Sequence, residues 1–248
     1  MKKNNIRNKA GKIKTCYIIV KSMLLFLKYC TIAIILSFSK KKNKNQLVDT
    51  QLRIWAKKIL AYPHANLIVN NPEKIQYEKN QPYILMSNHV SLYDIPIIYL
   101  SAPGTIRMIA KKELFKIPLF GLSMKRNEVI SINRSNKESA IKSLESAKNK
   151  MKKGIVLWMA PEGTRSKNGE LLAFKKGVFV LAIETGAKIY PIGIKGAHDI
   201  LPAKTINFKL NQKVEVNIGD PIDASKYNLD NKEELIDYTR ERIKELIE

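Results

Sequence analysis

Five short apolar runs, at 82–87, 105–110, 129–132, 155–158 and 189–194, alternate with helix-forming sequence and constrain the fold more than any other feature. Apolar runs of this length read as strands whose two faces are both covered. Between them, 95–100 reads as part of a helix, and 178–184 as a helix ending at Gly186. Ser135 and Glu138 form a capping box opening a further helix, with Ile141, Leu144, Ala147 and Met151 at three-to-four spacing and Gly154 as its stop. A last helix opened by Asp230 places Leu235, Ile236, Ile243, Leu246 and Ile247 on its buried side. Segments 205–210 and 214–218, separated by a short turn, read as an antiparallel strand pair. Pro191 inside the fifth run predicts an edge or a bulge, because proline cannot donate to a ladder. The alternation argues an α/β fold with a mixed β-sheet flanked by helices.

Charge divides the chain unevenly. Of the formal net charge of +22, residues 1–45 hold twelve Lys or Arg and no Asp or Glu, leaving +10 for the other 203 residues. A segment this basic suits an anionic membrane or nucleic acid, and its interior decides between them. From 16 to 39 it is strongly apolar, interrupted by Lys21 and Lys28. With Lys14 these lysines recur every seven residues, so a helix displays them as one stripe, the pattern of a helix lying in the membrane interface. A single-pass anchor stands beside that reading, since snorkelling lysines permit tilted insertion. The flanking lysines prefer the cytoplasmic, anionic leaflet of the cell membrane. A domain boundary is drawn at 40–45, giving a membrane-associated segment over 1–45 and a catalytic domain over 46–248. Cys16 and Cys30 are too few for a disulfide framework, and no Cys/His spacing suggests a metal.

Candidate chemistry starts at Asn88-His89-Val90-Ser91-Leu92-Tyr93-Asp94, directly after the first apolar run. A histidine beside a carboxylate proposes a general base with an orienting partner. The competing reading is a capping box in which Ser91 and Asp94 serve only the N-terminus of a helix beginning near Ser91. After the fourth run comes Pro161-Glu162-Gly163-Thr164-Arg165-Ser166, a charged turn at a strand exit, where α/β proteins hold ligands. The third run ends in Asn133-Arg134. Arginine's planar fork matches phosphate oxygens, which draws Arg134 and Arg165 together. Lys111, Lys112, Lys175 and Lys176 either extend a phosphate-binding surface or are solvated lysines. His198 and Asp199 are adjacent without a strand-end constellation and read as a surface loop; His64 is assigned no role.

These segments in this order resemble the glycerolipid acyltransferases of the 1-acyl-glycerol-3-phosphate acyltransferase type, from about residue 81 to 196. The resemblance includes Ala110-Lys111-Lys112-Glu113-Leu114, Ile117-Pro118-Leu119-Phe120-Gly121 and Phe174-Lys175-Lys176-Gly177. It implies the fold of the glycerol-3-phosphate acyltransferases behind an N-terminal membrane-associated helical segment. It also implies transfer of a fatty acyl group from acyl-CoA or acyl carrier protein to 1-acyl-glycerol 3-phosphate, giving phosphatidic acid. His89 becomes the base, Asp94 its partner, and Arg134, Glu162, Gly163, Thr164 and Arg165 the acceptor site, with Asn88, Asn133, Lys112 and Lys175 as further candidates. Many members have aspartate where this chain has Asn133, which puts a charge-dependent role there in doubt.

An alcohol holds its proton far above neutral pH, so acyl transfer needs a base within hydrogen-bonding reach. A histidine titrating near ~6.5 can serve, and a carboxylate on its other nitrogen fixes the tautomer. A covalent route through Ser87 or Ser91 lacks the Gly-x-Ser-x-Gly elbow. N–H groups of the helix near Ser91 are candidate oxyanion donors. The expected partners are the lipids of an anionic bilayer surface and the acyl-CoA or acyl carrier protein co-substrate, with no cofactor, metal or nucleic acid. The alternatives are another acceptor (glycerol 3-phosphate, a different lysophospholipid or an aminolipid) or a non-catalytic basic protein binding membrane or nucleic acid.

Overall fold

A computed structural model describes residues 8–41, 43–132 and 137–248. Two helices packed on each other come first, α1 (Lys12–Ser37) and α2 (Lys44–Ala61). The chain continues through β1 (Asn66–Asn70), β2 (Tyr83–Ser87), α3 (Asp94–Ser101), β3 (Thr105–Lys111), α4 (Phe120–Arg126), β4 (Ile130–Ile132), α5 (Lys137–Met151) and β5 (Ile155–Met159). It closes with α6 (Gly177–Thr185), β6 (Lys188–Lys195), α7 (Ala197–Ile200), β7 (Lys213–Ile218), β8 (Ile222–Asp223) and α8 (Lys232–Ile247).

The strands form one sheet in the order β1-β7-β6-β2-β5-β3-β4, with β8 also on β6. The neighbours from β6 to β4 are all parallel, whereas β7 and β8 run antiparallel to β6. The sheet is mixed as expected, but for a different reason. Residues 205–210 are not a strand: Lys204 sits at φ 62°, the Lys209 N–H bonds Ile200 O, and one isolated bridge joins Lys209 to Lys9. β7 instead pairs with β6 on one side and with β1 on the other, a strand too short and too flanked by asparagine to stand out in the sequence.

Pro191 is not at an edge, but it sits where the ladder slips by one residue: three steps of β6, Ile189 to Ile192, face four of the partner segment, Ile218 to Ile222. β6 lies inside the sheet, and Pro191 falls between its pairing with β8, at Lys188 and Ile189, and with β7, from Ile192 onward. Its carbonyl accepts the Gly219 N–H at 2.9 Å. Within a strand a residue's N–H and C=O point to the same side, so the missing donor falls in the gap between two partners, where no ladder bond is lost.

Alternation along β2 divides the core. Tyr83 and Leu85 face the layer built by α1, α2 and α3, while Ile84 and Met86 face α5, α6 and α8. On that second face α5 buries Ala147 and Met151, with Leu144 packed beside them. Helix α6 ends as expected at Gly186, left-handed at φ 58°. Helix α8 buries Leu235, Ile236 and Ile243, but Leu246 and Ile247 are only half-buried, and the residue preceding the helix is Asn231 rather than Asp230. A Cβ on Gly193 in β6 would lie 2.4 Å from Leu246 O, so glycine there lets the helix sit on the sheet.

The two N-terminal helices are tied to the sheet by buried charge. Arg107 of β3, 1 % exposed, donates to Asp49 of α2 at 2.5 Å, and the Thr105 hydroxyl donates to the other oxygen of that carboxylate at 2.7 Å. Arg53 donates to the carbonyls of Tyr99, Ala102 and Gly104, bracing the C-terminal end of α3. The outer face of α1 shows Ile13, Tyr17, Val20, Leu24, Leu27, Ile35 and Phe38, exposed at helical spacing. Lys21 and Lys28 border this stripe, and Lys14 and Lys21 lie over the Tyr17 ring at 5.2 and 5.8 Å. Cys16 and Cys30 are free and about four helical turns apart on one helix, too far to bridge.

Candidate active site

The first motif leaves the C-terminal end of β2, inside the sheet between β5 and β6. Asn88 continues the pairing by imitation: its amide nitrogen donates to Ile194 O at 2.9 Å and its amide oxygen accepts the Ile194 N–H at 2.8 Å. Buried and fully engaged, Asn88 fixes where β2 stops and leaves the next residue at the surface.

His89 is held through both backbone groups. Its N–H donates to Glu162 Oε1 at 2.6 Å, and its carbonyl accepts the Ser166 N–H at 2.8 Å. The loop after β5 thus grips the loop after β2 at one residue. The imidazole Nδ1 lies 2.6 Å from Asp94 Oδ2, and the ring stands edge-on to Trp158 with centroids 6.1 Å apart. The indole N–H in turn donates to Ser87 Oγ at 3.0 Å. A carboxylate can only accept, so Nδ1 carries the proton and Nε2 is the basic nitrogen. The histidine side chain is 20 % exposed and the aspartate 0 %.

Asp94 does both things the sequence set as alternatives. Besides His89, its Oδ2 accepts the Val90 N–H at 2.8 Å and the Ser91 N–H at 2.9 Å. One half of the capping box therefore forms. The other half does not: Ser91 Oγ accepts from Tyr93 N–H at 3.2 Å and donates to Leu201 O at 2.8 Å, and the helix begins at Asp94 rather than near Ser91. One correction follows from this. The N–H groups of His89, Val90 and Ser91 are committed to carboxylates and are not available as oxyanion donors. Ser87 and Ser91 are fully buried and hydrogen-bonded, so neither is placed as a nucleophile.

Glu162 is a brace. Its Oε1 takes the His89 N–H and its Oε2 the Leu172 N–H at 2.9 Å, leaving it 2 % exposed. Burial raises its pKa above the ordinary carboxylate value, against the pull of these two hydrogen bonds. Gly163 adopts φ 71°, the left-handed turn that brings the chain back toward the sheet. Thr164 is exposed and Arg165 half-buried, and Arg165 has no ion-pair partner among the described residues. The Lys175 N–H donates to Pro161 O at 2.8 Å, which draws that lysine to the same loop with its side chain in solvent. Lys112, also exposed, follows β3 two strands away. Asn133, Arg134 and Ser135 lie outside the described residues.

Reading the sequence missed three participants: Ser166 and Leu172, which contribute through backbone N–H groups, and Trp158, which stands against the imidazole. Only Trp158 left a signal, an indole in the last position but one of an otherwise aliphatic strand. The second His–Asp pair is occupied elsewhere. It sits on the short helix α7 rather than a loop, with His198 Nε2 3.0 Å from Lys167 O and Asp199 paired to Lys209 at 2.9 Å. Among the described residues no three His, Cys, Asp or Glu side chains are placed to hold a metal ion.

Beside Leu92 and Tyr93 an apolar cavity of about 670 Å³ runs between α1, α2 and α3, past Phe26, Trp55 and Tyr99. At the ends of its parallel strands this α/β sheet presents a carboxylate-oriented histidine, with the apolar cavity beginning at Leu92 and Tyr93 of the same loop. The sequence profile of the acyltransferase family matches residues 66–195, and the chain belongs to that family.

Its relatives agree in kind. A 1-acyl-sn-glycerol-3-phosphate acyltransferase of Haemophilus influenzae is 32% identical over 220 residues, 88% of either chain. A chloroplast 1-acyl-sn-glycerol-3-phosphate acyltransferase of Arabidopsis thaliana is 33% identical over 174 residues, 70% of this chain and 48% of that one. The chain thus spans about half the length of the plant relatives it matches. The crystal structure of the 1-acyl-sn-glycerophosphate (LPA) acyltransferase PlsC from Thermotoga maritima superposes with a TM-score of 0.81 at 27% identity, covering 97% of this chain and 94% of that one.

Proposed function

We propose that this protein is a membrane-seated O-acyltransferase that moves a fatty acyl group from a thioester to the free hydroxyl of 1-acyl-glycerol 3-phosphate, giving phosphatidic acid. The observation that carries this reading is the 2.6 Å contact between His89 Nδ1 and Asp94, on a loop clamped at His89 N–H and C=O beside an apolar cavity. His89 Nε2 takes the hydroxyl proton as the oxygen attacks the thioester carbonyl. Asp94 holds the tautomer and stabilises the imidazolium. As the tetrahedral intermediate collapses, the C–S bond breaks and the imidazolium returns its proton to the departing thiolate. Arg134 and Arg165 receive the acceptor phosphate, with Gly163 and Thr164 shaping the turn around it. Glu162 acts from behind, by holding the loop that carries His89.

The apolar stripe of α1 supports seating in the interface rather than crossing. Its opposite face, with Ile18, Tyr29, Cys30 and Ala33, is buried against the protein, which favours a helix lying beside the domain in the interface. The lysines beside the stripe support a seat on the anionic, cytoplasmic face of the cell membrane, where acyl-CoA and acyl carrier protein are supplied. The boundary at 40–45 overlaps the connection after α1 and the first residues of α2, so the membrane-associated part comprises a helix fastened to the catalytic domain by α2. The test is acyl transfer from a labelled acyl thioester to 1-acyl-glycerol 3-phosphate by membranes carrying the protein. Product from the wild type and none from His89→Ala is the expected result; no product from the wild type with any thioester overturns it.

A further inference from the structure

Trp158 lies on β5, paired on one side with Leu85 of β2 and on the other with Met108 of β3. Its side chain is held as firmly as its backbone. The indole N–H donates to Ser87 Oγ at 3.0 Å, the residue is 5 % exposed, and Ser87, the last residue of β2, is fully buried. This hydrogen bond joins two neighbouring strands in the middle of the sheet. The indole so held stands at 90° to the imidazole of His89, with ring centroids 6.1 Å apart, an edge-to-face contact.

The other contacts of His89 leave its ring a freedom that this one removes. Asp94 is the first residue of α3, so its 2.6 Å contact ties Nδ1 to the start of that helix and not to the sheet. The clamps from Glu162 and Ser166 act on the backbone of His89 and leave the ring free to turn. A hydrogen bond tolerates a departure of about 30° from linearity, and a tilt of that size swings Nε2, about 2.2 Å from Nδ1 across the ring, by roughly 1 Å. A misplacement of about 1 Å at a reacting group can cost about 10²-fold in rate.

We propose that Trp158 is a positioning residue for the general base: pinned by Ser87, its indole opposes the tilt of the His89 ring and keeps Nε2 aimed at the acceptor hydroxyl. This rests on the reading of His89 as the base. It also gives the buried Ser87 hydroxyl a task, that of setting the rotation of the indole.

The test compares Trp158→Leu, Trp158→Phe and Ser87→Ala in the full chain, reading kcat and the KM of each substrate. Trp158→Leu removes the ring and should lower kcat by about tenfold or more, with both KM values within about twofold of the wild type. Trp158→Phe keeps an aromatic ring on the strand and should recover most of that loss. Ser87→Ala deprives the indole of its acceptor and should lower kcat by a smaller factor, again at unchanged KM; this variant decides the matter if Trp158→Leu does not fold. Residual turnover in a His89→Ala background separates positioning from packing, because a residue that acts through the imidazole has no further effect once the imidazole is gone. Wild-type kcat in Trp158→Leu or, where that chain does not fold, in Ser87→Ala overturns the proposal. So does a rise in KM that accounts for the loss, or a further fall when Trp158→Leu is added to His89→Ala. If His89→Ala is itself inactive, wild-type kcat in the Trp158 variant refutes this proposal alone; a fully active His89→Ala refutes the base and this proposal with it.

Discussion

The loop at His89 and the outer face of α1 are opposites in how they are built. Around His89 nearly every polar group has a named partner: one oxygen of Asp94 takes three donors, Glu162 takes two backbone N–H groups, and the His89 carbonyl takes a third from Ser166. On the outer face of α1 there is little to satisfy, only apolar side chains at helical spacing with lysines beside them. The first region depends on geometry, and small displacements cost it everything. The second depends on area and charge, and tolerates change gradually.

The sharpest way to break this contrast is His89→Ala. Activity is expected to fall by about 10²–10⁴ while folding and membrane association persist, checked by turnover beside vesicle sedimentation. Severing the fastening between the two regions comes next. Asp49→Ala leaves the Arg107 guanidinium buried without its carboxylate and should cost about 3–5 kcal/mol in urea unfolding. An Asp49→Ala variant as stable as the wild type refutes the idea that this pair holds α2 to the sheet.

Glu162→Ala orphans two backbone N–H groups, a loss of about 2–4 kcal/mol, and lowers the turnover number more than it raises KM, because Glu162 positions His89 without touching substrate. On the membrane side, Leu24→Glu with Leu27→Glu should lower vesicle affinity by at least about tenfold and leave the unfolding midpoint in water unchanged.

The smallest expected effect is one of pH. Burial raises the Glu162 pKa from its ordinary 4.5, so folding favours the protonated form. That contribution is complete below the ordinary value and is lost as pH rises through the raised one. Stability measured from about pH 4 upward should therefore decline in the wild type relative to Glu162→Gln; parallel curves sink this account.

The sequence made the repeating elements legible because each is a local pattern. Five apolar runs gave β2 to β6, three-to-four spacing gave α5 and α8, and Gly186 marked the end of α6. It misread segment 205–210, whose hydrogen bonds go to Asn8, Ala10 and Ile200 rather than to a neighbouring strand. For Pro191 the irregular ladder holds and the edge does not, since β6 has partners on both sides, which one residue cannot reveal. At the site the His89–Asp94 pair was legible, as both partners lie in one loop. Glu162 was legible as part of the charged turn, but its hydrogen-bond partners were not, because they are backbone groups and backbone carries no sequence signal.

By itself the sequence determined the α/β class, the histidine with its aspartate, and a basic, apolar N-terminal segment, all set by residue type and short-range periodicity. Tertiary structure decided that Asp94 is both cap and orienting partner, that Glu162 braces His89, and that α1 lies with one face on the protein. Those outcomes depend on hydrogen bonds and packing between segments far apart in the chain, 73 residues in the case of His89 and Glu162, which only the closed sheet brings within reach.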